Sequence, residues 1–228
     1  PRSTLFPYTT LFRSNPFNAI IGFSQIIHQK CIDHDYESVE KYSQHVYLSA
    51  QRSYNLLNNL LLWSGIQTGR LTFNPVELNF YTIVLSIIDL FDASLNQKGI
   101  QLQNKVEPSL MFVADSMMIE SVMRNLVSNA IKYTPSGGTV IVSAHRDNNE
   151  IIISVRDNGL GMDVLEIKNL YGPDFKKSTV GTNNESGSGL GLAICNEFIV
   201  RHGGRLEIES SIGNGSTFKV ILPQKSRV

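Results

Sequence analysis

From Val39 to Trp63 the chain sets Val39, Tyr42, Val46, Ser49, Ser53, Leu56, Leu60 and Trp63 at alternating three- and four-residue steps. That period belongs to one long helix with a single seam, and the seam has to be covered by other helices. Phe17, Ile20, Ile21, Ser24 and Ile27 mark a first helix from Asn15 to about Cys31, opened by Asn15-Pro16 because proline fits a first helical turn. The polar stretch from Ile32 to Tyr36 connects the two. Two striped helices with no third partner in sequence point to pairing with a second copy, giving a four-helix dimer. Packing against the rest of the chain is the competing arrangement, and the serines at the seam's centre let a neighbouring helix approach closely.

The first fourteen residues, PRSTLFPYTTLFRS, carry neither a helical nor a strand period. Thr4 to Ser14 resembles the conceptual translation of a sequencing-adapter oligonucleotide, and residues 1–14 are set aside from fold reasoning on that ground.

Composition narrows the function classes. A chain of 228 residues with 42% hydrophobic and 18% charged residues can bury a core of ordinary size, which excludes disorder and fibre. Twenty basic residues balance twenty acidic ones, so no net charge draws the chain to nucleic acid or an anionic membrane. A small ligand or a protein partner is favoured. Cys31 and Cys195 stand in unrelated contexts without zinc or disulfide spacing, which suits a reducing cytoplasm. No apolar run reaches the roughly 18 residues of a spanning helix, and the start lacks a signal-peptide core, so a soluble chain is expected.

Gly65, Gly69 and Pro75 suggest a break between the hairpin and a second domain. Beyond it the pattern predicts a short strand near Val76, a helix from Phe80 to about Gln97, and strands at Ile100–Val106 and Met111–Ala114. A helix from Asp115 to about Tyr133 follows. Strands at Thr139–Ala144 and Glu150–Val155 flank the turn Asp147-Asn148-Asn149 as a hairpin. After a loop-rich region come a helix from about Leu190 to His202 and strands at Arg205–Ser210 and Ser216–Leu222. The fold class is α+β, a mixed sheet covered by helices.

Four polar or glycine-rich clusters exceed what a plain core needs. On the helix before Tyr133, Asn125 and Asn129 share a face with Lys132 one turn beyond, so two amides and an ammonium can converge on a cation and its phosphates; a solvated face is the plain alternative. Asp157-Asn-Gly159-Leu-Gly161 ends a strand, where a carboxylate can accept from an exocyclic amine and glycines admit a flat ligand; alone it reads as a turn. Gly187-Ser-Gly189-Leu190-Gly191 runs into a helix start, a place for an anion, and fits neither a dinucleotide fingerprint nor a Walker loop. Gly213-Asn-Gly215-Ser-Thr217-Phe218 alone is a hairpin turn.

In this order the four clusters resemble the N, G1, G2 and G3 boxes of the sensor histidine kinases of two-component systems, members of the wider GHKL-type ATPase superfamily that includes gyrase and MutL. The resemblance covers about Pro75 to Pro223, and the preceding hairpin resembles the family's dimerisation and histidine-phosphotransfer domain. It implies domains at 15–70 and 75–228, the second a Bergerat-type α/β sandwich with helices on one face of a mixed sheet. It further implies ATP and magnesium held between the first cluster and the glycine clusters. In that picture Asp157 pairs with the adenine amine, Asn129 ligates magnesium, Asn125 supports the metal and phosphates, Lys132 reaches the phosphates and Tyr133 lies near the base. Gly159, Gly161, Gly187, Gly189 and Gly191 keep backbone close to the nucleotide, with Leu190 and Thr217 beside it. Phe175 stands for the family's F box, although Tyr171-Gly-Pro-Asp-Phe175 departs from Phe-x-Pro-Phe, and Thr179 to Ser186 reads as a lid. The implied partners are a second copy and a response-regulator receiver domain, without nucleic acid or membrane contact.

Some members of this family read His-Asp-Leu-Lys-Asn-Pro-Phe-Asn-Ala-Ile-Ile-Gly-Phe-Ser at the phosphoacceptor. Asn15 to Ser24 matches that run, which puts the histidine at position 11 and its acid at position 12, where this chain has Leu11 and Phe12. Asn15 falls where relatives hold a residue that positions water for removing phosphate from the partner. His28 lies seventeen residues past position 11, roughly 25 Å along a helix, and lacks the acid and proline context. His34, His45, His145 and His202 read as structural or solvated. Two other readings stand beside the kinase. One is an ATPase of the wider superfamily, which carries a glutamate base where Asn125 stands; the other is a non-catalytic partner-binding module, for which four complete clusters have no use.

Overall fold

The computed structural model describes residues 16–68, 72–170, 181–182 and 191–224. The chain divides into two compact units, Pro1–Thr68 and Gly69–Val228.

In the first unit α1 (Pro16–Ile32) and α2 (Tyr36–Gln67) form the expected hairpin. Ile32 and Tyr36 close and open the helices rather than lying in the connection, and Gly65, expected in the break, lies inside α2. Asp35 makes the short turn: its carboxylate accepts from the Ser38 N–H at 3.2 Å and pairs with Lys30 at 3.0 Å. The Phe23 ring stacks on His45 at 5.0 Å, and Ser49 and Ser53 are buried in the seam. At about 1.5 Å per residue α1 spans roughly 25 Å and α2 roughly 48 Å. The described part of α1 therefore reaches only to about Ser53, and Tyr54, Leu57, Leu60 and Leu61 beyond it are exposed. Phe17 and Ile21 are exposed as well.

The second unit holds a five-stranded sheet in the order β2-β4-β5-β7-β6, made of β2 (Gln101–Asn104), β4 (Thr139–Asp147), β5 (Glu150–Asp157), β6 (Arg205–Ser210) and β7 (Ser216–Pro223). Among the described residues only β2 and β4 pair in parallel in this sheet, so it is mixed. A separate antiparallel pair, β1 (Val76–Asn79) and β3 (Met111–Ala114), is tied to the sheet's end by Val113 N–H donating to Gln224 Oε1 at 3.0 Å. Three helices cover one sheet face: α3 (Phe80–Lys98), α4 (Ser116–Tyr133) and α6 (Gly191–Arg201).

The period-2 burial of β4 and β5 explains the layering. Val140, Val142, Ile151, Ile153 and Val155 point to the helices, and Ile119, Val122, Leu126, Ile194, Phe198 and Ile199 meet them from α4 and α6. Asn79 caps α3 and Asp115 caps α4 through side-chain oxygens accepting from Thr82 and Met118 N–H, each worth about 1 kcal/mol. The sequence reading missed one element, α5 (Val164–Leu170). Its start is a reciprocal capping box: Asp163 Oδ1 accepts from Glu166 N–H at 2.7 Å, and Glu166 Oε2 from Asp163 N–H at 2.9 Å.

Candidate nucleotide site

Asp157 ends β5 on the helix-covered face and is only 4% exposed. Its Oδ1 accepts from the N–H groups of Gly159 at 2.9 Å and Ser216 at 3.2 Å. Among the described residues Oδ2 has no hydrogen-bond partner, and it is not sealed from solvent. Burial pushes the carboxyl above the ordinary value of 3.8, while the two N–H bonds pull it back. One oxygen is thus anchored to the fold and the other offers a directed acceptor.

The loop after Asp157 is held on both sides. Leu160 N–H donates to the Tyr133 carbonyl at 3.2 Å, and the Leu160 carbonyl accepts from Gly213 N–H at 2.7 Å. Met162 N–H donates to Ser210 Oγ at 2.8 Å, and Ser210 Oγ also meets the Gly215 carbonyl and Ser216 Oγ at 2.9 Å each. Gly161 has φ +68°, and a Cβ there would overlap the Ser211 carbonyl oxygen. A Cβ on Gly159 would overlap the carbonyl oxygen of Tyr133. These two glycines are required by close approach within the protein, whatever they also admit from outside.

Along α4 the predicted face is present. Asn125 Nδ2 donates to the Ser121 carbonyl at 2.9 Å, and a Cβ on Gly191 would come within 2.6 Å of Asn125 Oδ1, so the start of α6 sits directly on Asn125. Asn129 is half-buried one turn on, and its amide makes no hydrogen bond among the described residues. The Lys132 ammonium reaches Tyr133 Oη at 3.0 Å and lies 4.7 Å from the centre of that ring. The middle of α4 thus meets α6 through Asn125, and its C-terminal end backs the Asp157 loop through Tyr133.

Thr217 requires a correction. It pairs with Arg156 in the β5–β7 register, and the alternation of both strands puts it on the open sheet face, away from the Asp157 carboxylate. The neighbouring Ser216 is the residue that touches Asp157. Asn15, Phe175, Gly187, Gly189 and Leu190 lie outside the described residues. Sequence reasoning also passed over Ser210, a strand-end serine with no distinguishing pattern. Cys195, read as a small buried helix residue, is fully buried with its thiol against the Val122 carbonyl.

Residues 114–226 match the family model described as histidine kinase-, DNA gyrase B-, and HSP90-like ATPase. The chain is 31% identical over 209 residues to histidine protein kinase DivJ of Caulobacter vibrioides, covering 91% of this chain and 35% of that protein. It is 32% identical over 214 residues to sporulation kinase C of Bacillus subtilis, covering 93% of this chain and 46% of that protein. This chain carries the ATPase domain of the sensor histidine kinases. It spans less than half the length of either of those kinases. The same fold is seen in the histidine kinase ThkA in complex with response regulator protein TrrA, with a TM-score of 0.68 and 22% identity over 92% of this chain and 58% of that one. The second unit therefore carries the histidine-kinase ATPase domain, with helices on one face of a mixed sheet. Among the described residues no helix of this chain is long and apolar enough to cross a membrane.

Proposed function

We propose that this chain is the catalytic portion of a two-component sensor kinase, binding Mg-ATP for phosphoryl transfer to a histidine and onward to a response-regulator aspartate. The observation that carries the reading is the Asp157 carboxylate, with Oδ1 locked by two backbone N–H groups and Oδ2 left to accept. An acceptor fixed in this way suits the exocyclic amine of adenine and rejects a carbonyl at that place. Asn125, Asn129 and Lys132 lie along α4 beside the start of α6 and suit the phosphate end. The unbonded Asn129 amide fits magnesium, which takes one or two protein oxygens and leaves the rest to water and phosphate. When bound, the metal would neutralise charge on the phosphates; the chain's own groups orient the nucleotide and exclude water from the base.

The apolar residues left exposed on α1 and α2 support a homodimer through the hairpin, and the likeness to the complexed ThkA supports a response regulator as second partner. The hairpin lacks its acceptor: Leu11 and Phe12 occupy the positions of the histidine and its acid. His28 is exposed on α1, seventeen residues along the chain from position 11 and without that context. With labelled ATP and magnesium, the chain as it stands forms no phosphohistidine, since leucine offers no nucleophile. Replacing residues 11–14 by His-Asp-Leu-Lys behind a helical segment restores the label. Phosphohistidine in the unaltered chain, or label on His28, overturns the assignment.

A further inference from the structure

Lys98 is the last residue of α3 and is only 5% exposed. Its ammonium donates to the carbonyls of Ile131 at 2.9 Å and Lys132 at 3.2 Å and to Thr182 Oγ1 at 2.8 Å, and it lies 3.5 Å from the Thr134 carbonyl. The carbonyls belong to the end of α4, where the last groups of a helix lack partners and a cation is favoured by the helix dipole. α4 has no glycine cap: Thr134 follows it in an extended conformation, so donors have to come from elsewhere.

Thr182 closes the cluster from the other side. Its N–H donates to the Lys132 carbonyl at 3.1 Å, and its Oγ1 lies 3.1 Å from the carbonyls of both Lys132 and Thr134. Residues 98, 131, 132, 134 and 182 are thereby joined in one partly buried network. The turn it fixes carries the Lys132 and Tyr133 side chains, and the Tyr133 carbonyl accepts from Leu160 in the loop after Asp157. The Lys98 backbone carbonyl accepts from Gly137 N–H at 2.9 Å, so the lysine is itself anchored to the turn beyond α4.

We infer that Lys98 is a positioning residue of the nucleotide site, which clamps Thr182 onto the end of α4 and so sets where Lys132 and Tyr133 stand. The inference rests on the nucleotide reading above. A buried ammonium is strongly held only while its acceptors surround it, and each acceptor it leaves loses a charge-assisted bond.

The test uses the whole chain and its Lys98→Ala, Lys98→Met, Thr182→Val and double variants. Nucleotide affinity is read by titration well below each melting temperature, and exchange of the Thr182 amide is read by NMR. Lys98→Ala should weaken nucleotide about tenfold or more and speed exchange of the Thr182 amide. Added n-propylammonium, which replaces the deleted stem and charge, should reverse both effects in Lys98→Ala and leave Lys98→Met unmoved. Thr182→Val should add little once Lys98 is gone, because the two act as one unit. Unchanged amide exchange in Lys98→Ala, or additive effects in the double variant, overturns the inference. A parent chain that binds no nucleotide sinks the functional reading instead, and the exchange measurement still decides whether Lys98 holds Thr182.

Discussion

The backbone N–H of Ser216 donates to Asp157 Oδ1 at 3.2 Å, fastening the start of β7 to the end of β5 and using up one side of the carboxylate. With Gly159 donating to the same oxygen, Asp157→Asn can keep both bonds only by leaving its amide oxygen there. The NH2 group then stands where Oδ2 was, a donor in place of an acceptor. The variant should fold and bind ATP more weakly by about 1.5–3 kcal/mol, roughly tenfold to a hundredfold, as measured by calorimetric titration. Its relative affinity for GTP should rise, because guanine presents a carbonyl there. Unaltered ATP affinity would remove Asp157 from the site.

The same residue makes stability depend on pH with a definite sign. Burial raises the carboxyl above its ordinary 3.8, so the folded state holds the proton more tightly than the unfolded one. This group then favours folding most below 3.8 and does so less as pH rises through its folded-state value. Asp157→Asn removes the ionised carboxyl, so at neutral pH it should melt no lower than the parent, and its advantage should shrink as the pH is taken towards 4. A variant that melts lower at neutral pH, with a gap that stays constant into acid, contradicts the burial argument.

The metal role proposed for Asn129 can be separated from adenine recognition. Asn129→Ala should lower the affinity for nucleotide measured with magnesium while leaving magnesium-free adenosine binding nearly unchanged. Parallel losses in both titrations would place Asn129 at the base or in the fold, not at the metal.

On the hairpin, Ile21 is 58% exposed and Leu61 61%, apolar side chains that the proposed second copy would cover. Sedimentation of the intact chain should show dimer at tens of micromolar, and Ile21→Asp should shift it to monomer. A parent chain that is monomeric throughout that range counts against the four-helix arrangement.

How far the sequence could be read follows from which signals are local. The α4 face was legible because Asn125, Asn129 and Lys132 follow helical spacing within one element, and the Asp157 loop because its glycines sit beside the carboxylate. Thr217 was misplaced because its motif was read as a unit, whereas strand alternation sends Ser216 and Thr217 to opposite faces. The Asp163–Glu166 capping box was present in the sequence and passed over, so α5 was missed. Lys98 and Ser210 left no trace, since their partners lie far along the chain: Thr182 is 84 residues from Lys98, and Met162 is 48 from Ser210. Such contacts belong to the fold and have no local spacing to betray them.

The most direct test of the whole account is titration of the intact chain, in magnesium, with a non-hydrolysable ATP analogue and in parallel with its GTP counterpart. The site built on Asp157 predicts saturable binding of the adenine nucleotide with a preference of about tenfold or more over guanine. Equal affinity for the two, or no binding of either by the folded chain, would contradict it.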